Sequence, residues 1–480
     1  MVFKQLILTP AELTPLVDKA LALGASYGEA AFHRVKGFQI ILMNGSPITA
    51  SYTLSEGVRV RVIAEGSLGF SSTDSLEKHD VIDAVEKAVK HAKTTANLLS
   101  KSIKMSDERL GRARYEASAR EDPEERGGED LFKLAVELYK SIDLSRYKVN
   151  INSFLLGLSY SIEEKSLATS DGGLIESRIP RLEVFYSITA SSEGSSANRW
   201  QQIGGSGGLE LIDELGVVQA IEDDLRSLEL YLRNAKTPPK GRMDVVLGPE
   251  VVGLAMHESI GHPSEADRVL GREAAQAGLS YRRRIKPGEK IGSDLVTVID
   301  DPTIPGSYGF YLYDDEAVPA RPRYLILRGV LNEYLHNRET AAIMGTHSNG
   351  SARTMAWWSE PIIRMANTYM APGDYSLEEL IEDVKEGVYI KKYMEWNIDD
   401  YRWVARYVGF EAYKIRNGRL EEPVRNPALE VNTREFFSSI DAVGSDLRFY
   451  AGTCGKGEPA QGVPVWMGGP SIRLRGVMIK

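Results

Sequence analysis

Three side chains in one short run carry the most recognisable chemistry of this 480-residue chain: His257, Glu258 and His262. Two imidazoles flanking a carboxylate are the parts of a metal hydrolase, in which the histidines ligate an ion and the glutamate takes a proton from the water that the ion activates. The spacing is HExxxH, not the familiar HExxH. On a regular helix, ligands four residues apart lie about 40° from each other around the axis, whereas ligands five apart lie about 140° apart and cannot share one ion. A helix with this pattern must deform. Gly261 precedes His262 and Pro263 follows it; glycine accepts irregular dihedrals, and a residue before proline is pushed out of the α region. The pattern therefore predicts a helix that unwinds near Gly261 and swings His262 back toward His257, with Glu258 facing the same space.

A catalytic zinc takes about three protein ligands and keeps one position open to water, so a third donor must come from elsewhere. Cys454 is the strongest candidate. It lies in Gly452-Thr453-Cys454-Gly455-Lys456-Gly457, where glycines allow close backbone approach, and a thiolate is a soft, strong zinc ligand. A lone cysteine is also a common buried hydrophobe. Glu265, Asp267 and His347 are further candidates, each of which reads more readily as a solvated surface residue. Support for an oxyanion has two possible sources: the amides near Gly455 and Gly457, or Arg364 and Asn367, which also read as structural.

The elements that must position these residues follow from periodicity. Met243–Leu247 is a short β-branched strand, Gly248-Pro249 a turn, and from Glu250 the apolar residues Val251, Leu254 and Ala255 recur at helical spacing. The fold class is α+β: a mixed N-terminal portion of antiparallel sheets with flanking helices, and a large β-rich C-terminal domain carrying the metal-site helix. Five segments are expected: an α+β subdomain at 1-100, a charged connector at 101-130, a second α+β subdomain at 131-234, a linker at 235-242 and the C-terminal domain at 243-480. Asn44-Gly45, Asp171-Gly172 and Asn417-Gly418 mark hairpins, and Leu76–Leu99 and Leu211–Leu232 read as helices. Ser191–Gly208, rich in Ser and Gly around Arg199-Trp200, reads as an excursion between strands, either a mobile flap over a site or a surface loop.

Composition bounds the class. Hydrophobic residues at 42% and charged ones at 26% suit a globular protein with a large core, and a net charge of −9 with no basic block argues against nucleic acid as a partner. A single cysteine excludes an internal disulfide and any zinc site built from several cysteines, and fits a reducing compartment. The N-terminal apolar run is too short for a signal peptide, and no segment approaches the roughly 18 apolar residues of a membrane span. The expectation is a cytoplasmic chain with no membrane association.

With HESIGHPSEAD and the Cys454 loop in view, the chain resembles the TldD type of the TldD/PmbA metallopeptidase family. The resemblance extends through GVRVRVIAEGSLGFSSTD, GSYGFYLYDDEAVP, EPIIRMANTYMAPGD and TCGKGEPAQGVPVWMGGPSIRLRGVMI. It implies zinc held by His257, His262 and Cys454 with Glu258 as general base, and cleavage of small or unfolded peptides, including precursors of peptide antibiotics. It also implies a heterodimer with a TldE/PmbA-like subunit that lacks the motif; a homodimer is the alternative. One departure is Ala317, where a glycine is expected after Asp314-Asp315-Glu316. A peptide-binding or chaperone-like subunit with a vestigial site, and a zinc hydrolase of non-peptide amides, are the competing readings.

Overall fold

The computed structural model describes residues 8–99, 101–273, 278–458 and 460–480; most of the short N-terminal apolar run lies outside them. Strand propensity broken by left-handed turn residues builds the first half. Strand β1 (Tyr27–Met43) turns through Asn44-Gly45 into β2 (Ser46–Ala64), and β2 turns through Glu65-Gly66 into β3 (Ser67–Thr73). All four turn residues have positive φ, which matches the right-handed twist of a two-residue hairpin. Strand β4 (Arg112–Glu116) follows, then β5 (Asn150–Thr169), β6 (Leu174–Ser192) and β7 (Ser195–Ser206).

These seven strands form one sheet in the order β3-β2-β1-β5-β6-β4, with β7 paired to β6. Strand β1 pairs with β5 from Glu29↔Thr169 to Met43↔Leu155. The segments expected as separate units at 1-100 and 131-234 therefore share a sheet, because the free edge of β1 is covered by β5. The expected connector at 101-130 also differs. It supplies β4, which runs parallel to β6, and two of its acidic residues share a cation of that strand: Arg178 on β6 reaches Asp122 and Glu124 at 2.8 Å each.

Ser191–Gly208 is neither flap nor loop. It turns at Glu193-Gly194 and runs as β7 in register with β6 from Ser192↔Ser195 to Arg181↔Ser206. Its alternation is carried by Ala197 and Arg199 inward against Ser196, Asn198 and Trp200 outward, a period that the Ser/Gly composition hides. Helices α1 (Pro10–Ala22), α2 (Lys78–Thr95) and α3 (Gly128–Lys140) cover the sheet. The helix expected over Leu211–Leu232 is divided at Gly216, whose φ of 61° separates α4 (Leu211–Glu214) from α5 (Val217–Arg233).

In the second half, β8 (Gly241–Leu247) lies inside a nine-stranded sheet and leads through Gly248 into α6 (Pro249–Met256). A six-stranded sheet faces it, ending in strand Asn367–Met370, strand Gln461–Gly469 and, at the edge, strand Arg448–Lys456. Every residue of α6 is buried, including its one charged residue, Glu250. It rests directly on strand backbone, since a Cβ at Gly253 would stand 2.9 Å from the carbonyl of Met467.

The two halves meet at a buried seam of charge. Arg59 and Arg61 of β2 and Lys165 of β5 pair with Asp315 and Glu316, with Arg61–Glu316 at 2.7 Å and Lys165–Asp315 at 3.1 Å. Ala317 stands there at φ 64°, the left-handed conformation for which glycine was expected. The turn holds because Asp314 Oδ1 accepts from the amides of Glu316 and Val318 at 3.0 and 2.9 Å.

Candidate metal centre

Helix α6 does not continue as an α-helix through the HExxxH run. His257–Gly261 forms a π turn, in which the amide of His262 donates to the carbonyl of His257. That i→i+5 bond places residues five apart above one another, so the spacing that a regular helix cannot use becomes a spacing that faces one point. Both expected causes of the deformation are corrected. Gly261 has ordinary helical dihedrals (φ −58°, ψ −66°), and His262 stays in the α region at φ −56°, ψ −45° despite Pro263. The glycine is required for room: a Cβ there would lie 1.9 Å from Met365 Sδ. Pro263 sits in the following 3-10 turn, His262–Ser264.

Cys454 comes to this turn from the edge strand Arg448–Lys456. Its Sγ is 3.5 Å from His262 Nε2, and one ligand atom from each of His257, His262 and Cys454 lies within 4.8 Å of the others. All three side chains are buried. Glu265 is not a third ligand but the partner of one: its Oε2 accepts from His262 Nδ1 at 3.0 Å, which leaves Nε2 directed at the sulfur. Arg268 Nε at 3.1 Å and Lys456 Nζ at 3.4 Å hold that carboxylate in turn.

The electrostatics favour ligation. Burial, with the nearby Arg402 charge, pushes His262 well below its usual range. Burial alone would raise the Cys454 thiol, but His262, Arg364 and His257 outweigh it and hold the thiol well below its ordinary range. His257 is raised: burial opposes its charged form, and the Cys454 sulfur overcomes that. His257 Nδ1 is buried without a hydrogen-bond partner. Two imidazoles and a thiolate in a dry pocket suit a borderline-soft ion such as zinc, and leave a fourth position for water or substrate.

Glu258, beside the first histidine, is buried and forms an ion pair through Oε2 with Arg402 Nη1. Both open onto a cleft of about 650 Å³ lined also by Phe185, Trp200, Tyr393 and Trp396. Strand β7 is one wall of it. Arg199 fastens that wall to the metal-site helix, reaching Glu250 Oε2 at 2.5 Å and Asp224 Oδ2 at 2.9 Å, and Gln202 Nε2 donates to Thr453 Oγ1 at 3.2 Å.

The remaining candidates are dispersed. Arg364 lies behind the Cys454 strand, where it donates to the carbonyls of Gln461, at 2.7 Å, and Cys454. Asn367 bridges Asp301 O and Ser307 Oγ and accepts from the Gly309 amide, away from the cleft. Gly455 lines the cleft, whereas the Gly457 amide donates to Glu273 at 3.1 Å. Asp267 is paired with Lys456 at 2.7 Å, and exposed His347 faces Glu108. Arg402, which sequence reasoning missed, follows Asp399-Asp400-Tyr401 in a turn that looks like any surface turn; only its φ of 56° marks it.

Fold and centre together define a mixed α/β protein with a buried His/His/Cys metal-type site. Family models described as PmbA/TldA metallopeptidase domain 1, central domain and C-terminal domain match residues 28–96, 121–229 and 240–480. The chain belongs to the PmbA/TldD metallopeptidase family. It is 32% identical to a protein named as a metalloprotease of Methanocaldococcus jannaschii, over 95% of this chain and 97% of that one. It is 28% identical to a zinc metalloprotease TldD homolog of Saccharolobus solfataricus, over 96% and 97%. Among solved structures, TldE from Thermococcus kodakarensis shares the fold with a TM-score of 0.76 at 19% identity, over 97% of this chain and 99% of that one. No helix among the described residues is long and apolar enough to cross a membrane.

Proposed function

We propose that this chain is a zinc-dependent peptidase that cleaves small or unfolded peptides, with His257, His262 and Cys454 as zinc ligands and Glu258 as general base. The observation that carries the reading is the convergence of three buried donors within 4.8 Å beside a carboxylate that opens onto the same cleft. Zinc, when bound, supplies Lewis acidity toward a carbonyl oxygen and acidifies water. Glu258 takes the water proton and passes it to the leaving amine. His262 is kept in one tautomer by Glu265, so its Nε2 lone pair is always the one presented.

Substrate enters as an extended chain. Strand Arg448–Lys456 is the edge of its sheet and carries Cys454, so its backbone offers a row of groups for a peptide to pair with, sequence-independently, next to the metal ligands. A cleft of about 650 Å³ holds only a few residues of such a chain, which excludes folded protein. The chain works in the cytoplasm, where its one thiol stays reduced, and pairs with a TldE/PmbA-like subunit, or with a second copy of itself, to close the cleft.

Glu258→Ala is expected to keep stoichiometric zinc and lose peptide cleavage, while Cys454→Ala is expected to lose the metal. Metal content by mass spectrometry and product detection on a peptide mixture read both. Wild-type cleavage by the Glu258 variant would defeat the assignment of the base, and peptide binding without products in the wild type would favour a binding subunit.

A further inference from the structure

The cleft beside the metal centre carries a carboxylate that no cation among the described residues pairs with. Glu183, Glu250 and Glu258 all line it. Two of them are matched: Glu258 pairs with Arg402, and Glu250 with Arg199 at 2.5 Å. Glu183, half-buried on β6, is held by neutral groups instead. Its Oε2 accepts from Gln202 Nε2 at 2.8 Å and from the Tyr308 hydroxyl, and among the described residues no hydrogen bond reaches Oε1. Arg181, two residues earlier on the same face of β6, is engaged elsewhere, with Glu163 at 2.9 Å and with the carbonyl of Tyr308 at 3.1 Å. A carboxylate drawn partly out of water without a counter-charge is costly, and a cation that arrives with the substrate gains more there than it would in solvent.

The surroundings suit an organic cation. Glu183 and Phe185 share a face of β6, and β7 sets Gln202 and Trp200 beside them, in the register Phe185↔Gln202 and Ser187↔Trp200. Phe185 and Trp200 both line the cleft, and Trp200 is 54% exposed. An aromatic face attracts an ammonium or guanidinium group through its quadrupole, and the carboxylate adds a full charge. The position is close to the centre. One carboxamide, that of Gln202, spans from Glu183 at 2.8 Å to Thr453 Oγ1 at 3.2 Å, and Thr453 is the neighbour of Cys454.

We infer that Glu183 selects the substrate: it is the charged element of a subsite for a cationic group of the peptide, a lysine or arginine side chain or a free α-amino group, close to the scissile bond; this rests on the peptidase reading above. Glu183 is not a catalytic residue in that role. Its ion pair forms with the bound peptide and persists in the transition state, so it acts on KM more than on kcat. One hydrogen bond to a charged group sets the scale, about 10- to 100-fold in preference for a cationic peptide over its neutral counterpart.

The test uses the full-length protein with its metal and any subunit that copurifies, and compares wild type with Glu183→Gln. Glutamine has the same shape and its carbonyl still accepts from Gln202 and Tyr308, so the wall of the cleft is kept. The probes are short alanine peptides, acetylated and amidated, with a single lysine, norleucine or glutamate at each position in turn. Wild type is expected to favour lysine over norleucine by about 10- to 100-fold in kcat/KM, chiefly through KM, at a position within about two residues of the cleaved bond. Glu183→Gln should lose that preference, hold the norleucine peptides within about threefold and cleave the glutamate peptides better than wild type does. Alanine peptides with free and acetylated N-termini form the second arm: a Glu183-dependent advantage of the free amine assigns the cation to the chain terminus, and one confined to the lysine peptides assigns it to the side chain. A wild type indifferent to both cations, or equal loss on lysine and norleucine peptides in Glu183→Gln, overturns the inference and leaves the peptidase reading standing. A wild type that cleaves none of the peptides overturns the peptidase reading. Binding of the same peptides, labelled and followed by fluorescence anisotropy, reports the preference for a cation whether or not they are cut, so the two failures are told apart.

Discussion

Gly261→Ala separates two explanations of the π turn. If the glycine served dihedral freedom, alanine would be tolerated, because φ −58° and ψ −66° are ordinary for any residue. The obstacle is steric. The new Cβ would stand 1.9 Å from Met365 Sδ and 3.3 Å from its Cγ and Cε, so the sulfur must retreat by about 1.5 Å to reach an ordinary contact. Met365 is fully buried in the C-terminal core and has no free end to swing aside. Overpacking of this kind costs about 1–3 kcal/mol, and the better helix propensity of alanine offsets about 1 kcal/mol of it. Part of the strain must displace the π turn and with it His262, for which a loss of about 10- to 100-fold in zinc affinity is expected, the scale seen when ligand orientation is disturbed. Competition against a chromogenic chelator measures it. Met365→Ala opens the required space, so the double variant should bind zinc within a few-fold of Met365→Ala alone, a coupling that distant sites do not show. Unchanged affinity in Gly261→Ala, or a double variant no better than the single, would refute the steric account.

Three further outcomes are expected. Glu265→Gln should weaken zinc by about 10- to 100-fold with the three ligands intact, because His262 Nδ1 loses its charged acceptor; calorimetric titration of the apoprotein reads it. Arg199→Gln leaves Glu250 and Asp224 buried without their shared cation and should destabilise the protein by about 3–5 kcal/mol, visible as a lowered melting temperature; an unchanged melt would show that β7 is not fastened through this pair. Burial holds His336 down at about 4, below its unfolded value near 6.5. The unfolded chain therefore takes up this proton first, and stability falls as pH drops from about 6.5 to about 4, by at most about 3 kcal/mol. His336→Gln should show a smaller drop in melting temperature between pH 7 and pH 4.5, and an identical drop would remove His336 as the cause.

What could be read in the sequence was local. The hairpin at Asn44-Gly45 and the strand-turn-helix entry to α6 follow from turn chemistry and periodicity within a few residues. The HExxxH spacing itself demanded a distorted helix. The form of the distortion was not legible, because the group that requires Gly261 is the side chain of Met365, distant in sequence. Strand β7 was hidden for a related reason: Arg199 reads as a surface residue until Asp224 and Glu250 are seen around it. The single N-terminal sheet depends on the pairing of β1 with β5, which no local pattern specifies, and Arg402 announces itself only through its backbone conformation.

The charged seam between the halves has a consequence for anyone who wishes to cut or recombine this protein. Asp315 and Glu316 are buried against cations of β2 and β5, so removing the N-terminal sheet would strip both carboxylates of their cations and leave them only backbone amides of their own half, those of Thr354 and Arg338. A fragment beginning near residue 240 is a unit in the sequence record but not a free-standing object, and chimaeras of two relatives should fail unless the arginines and the acidic turn are exchanged together. The seam is in that sense a lock and key within one chain, and it obliges the two halves to change in step.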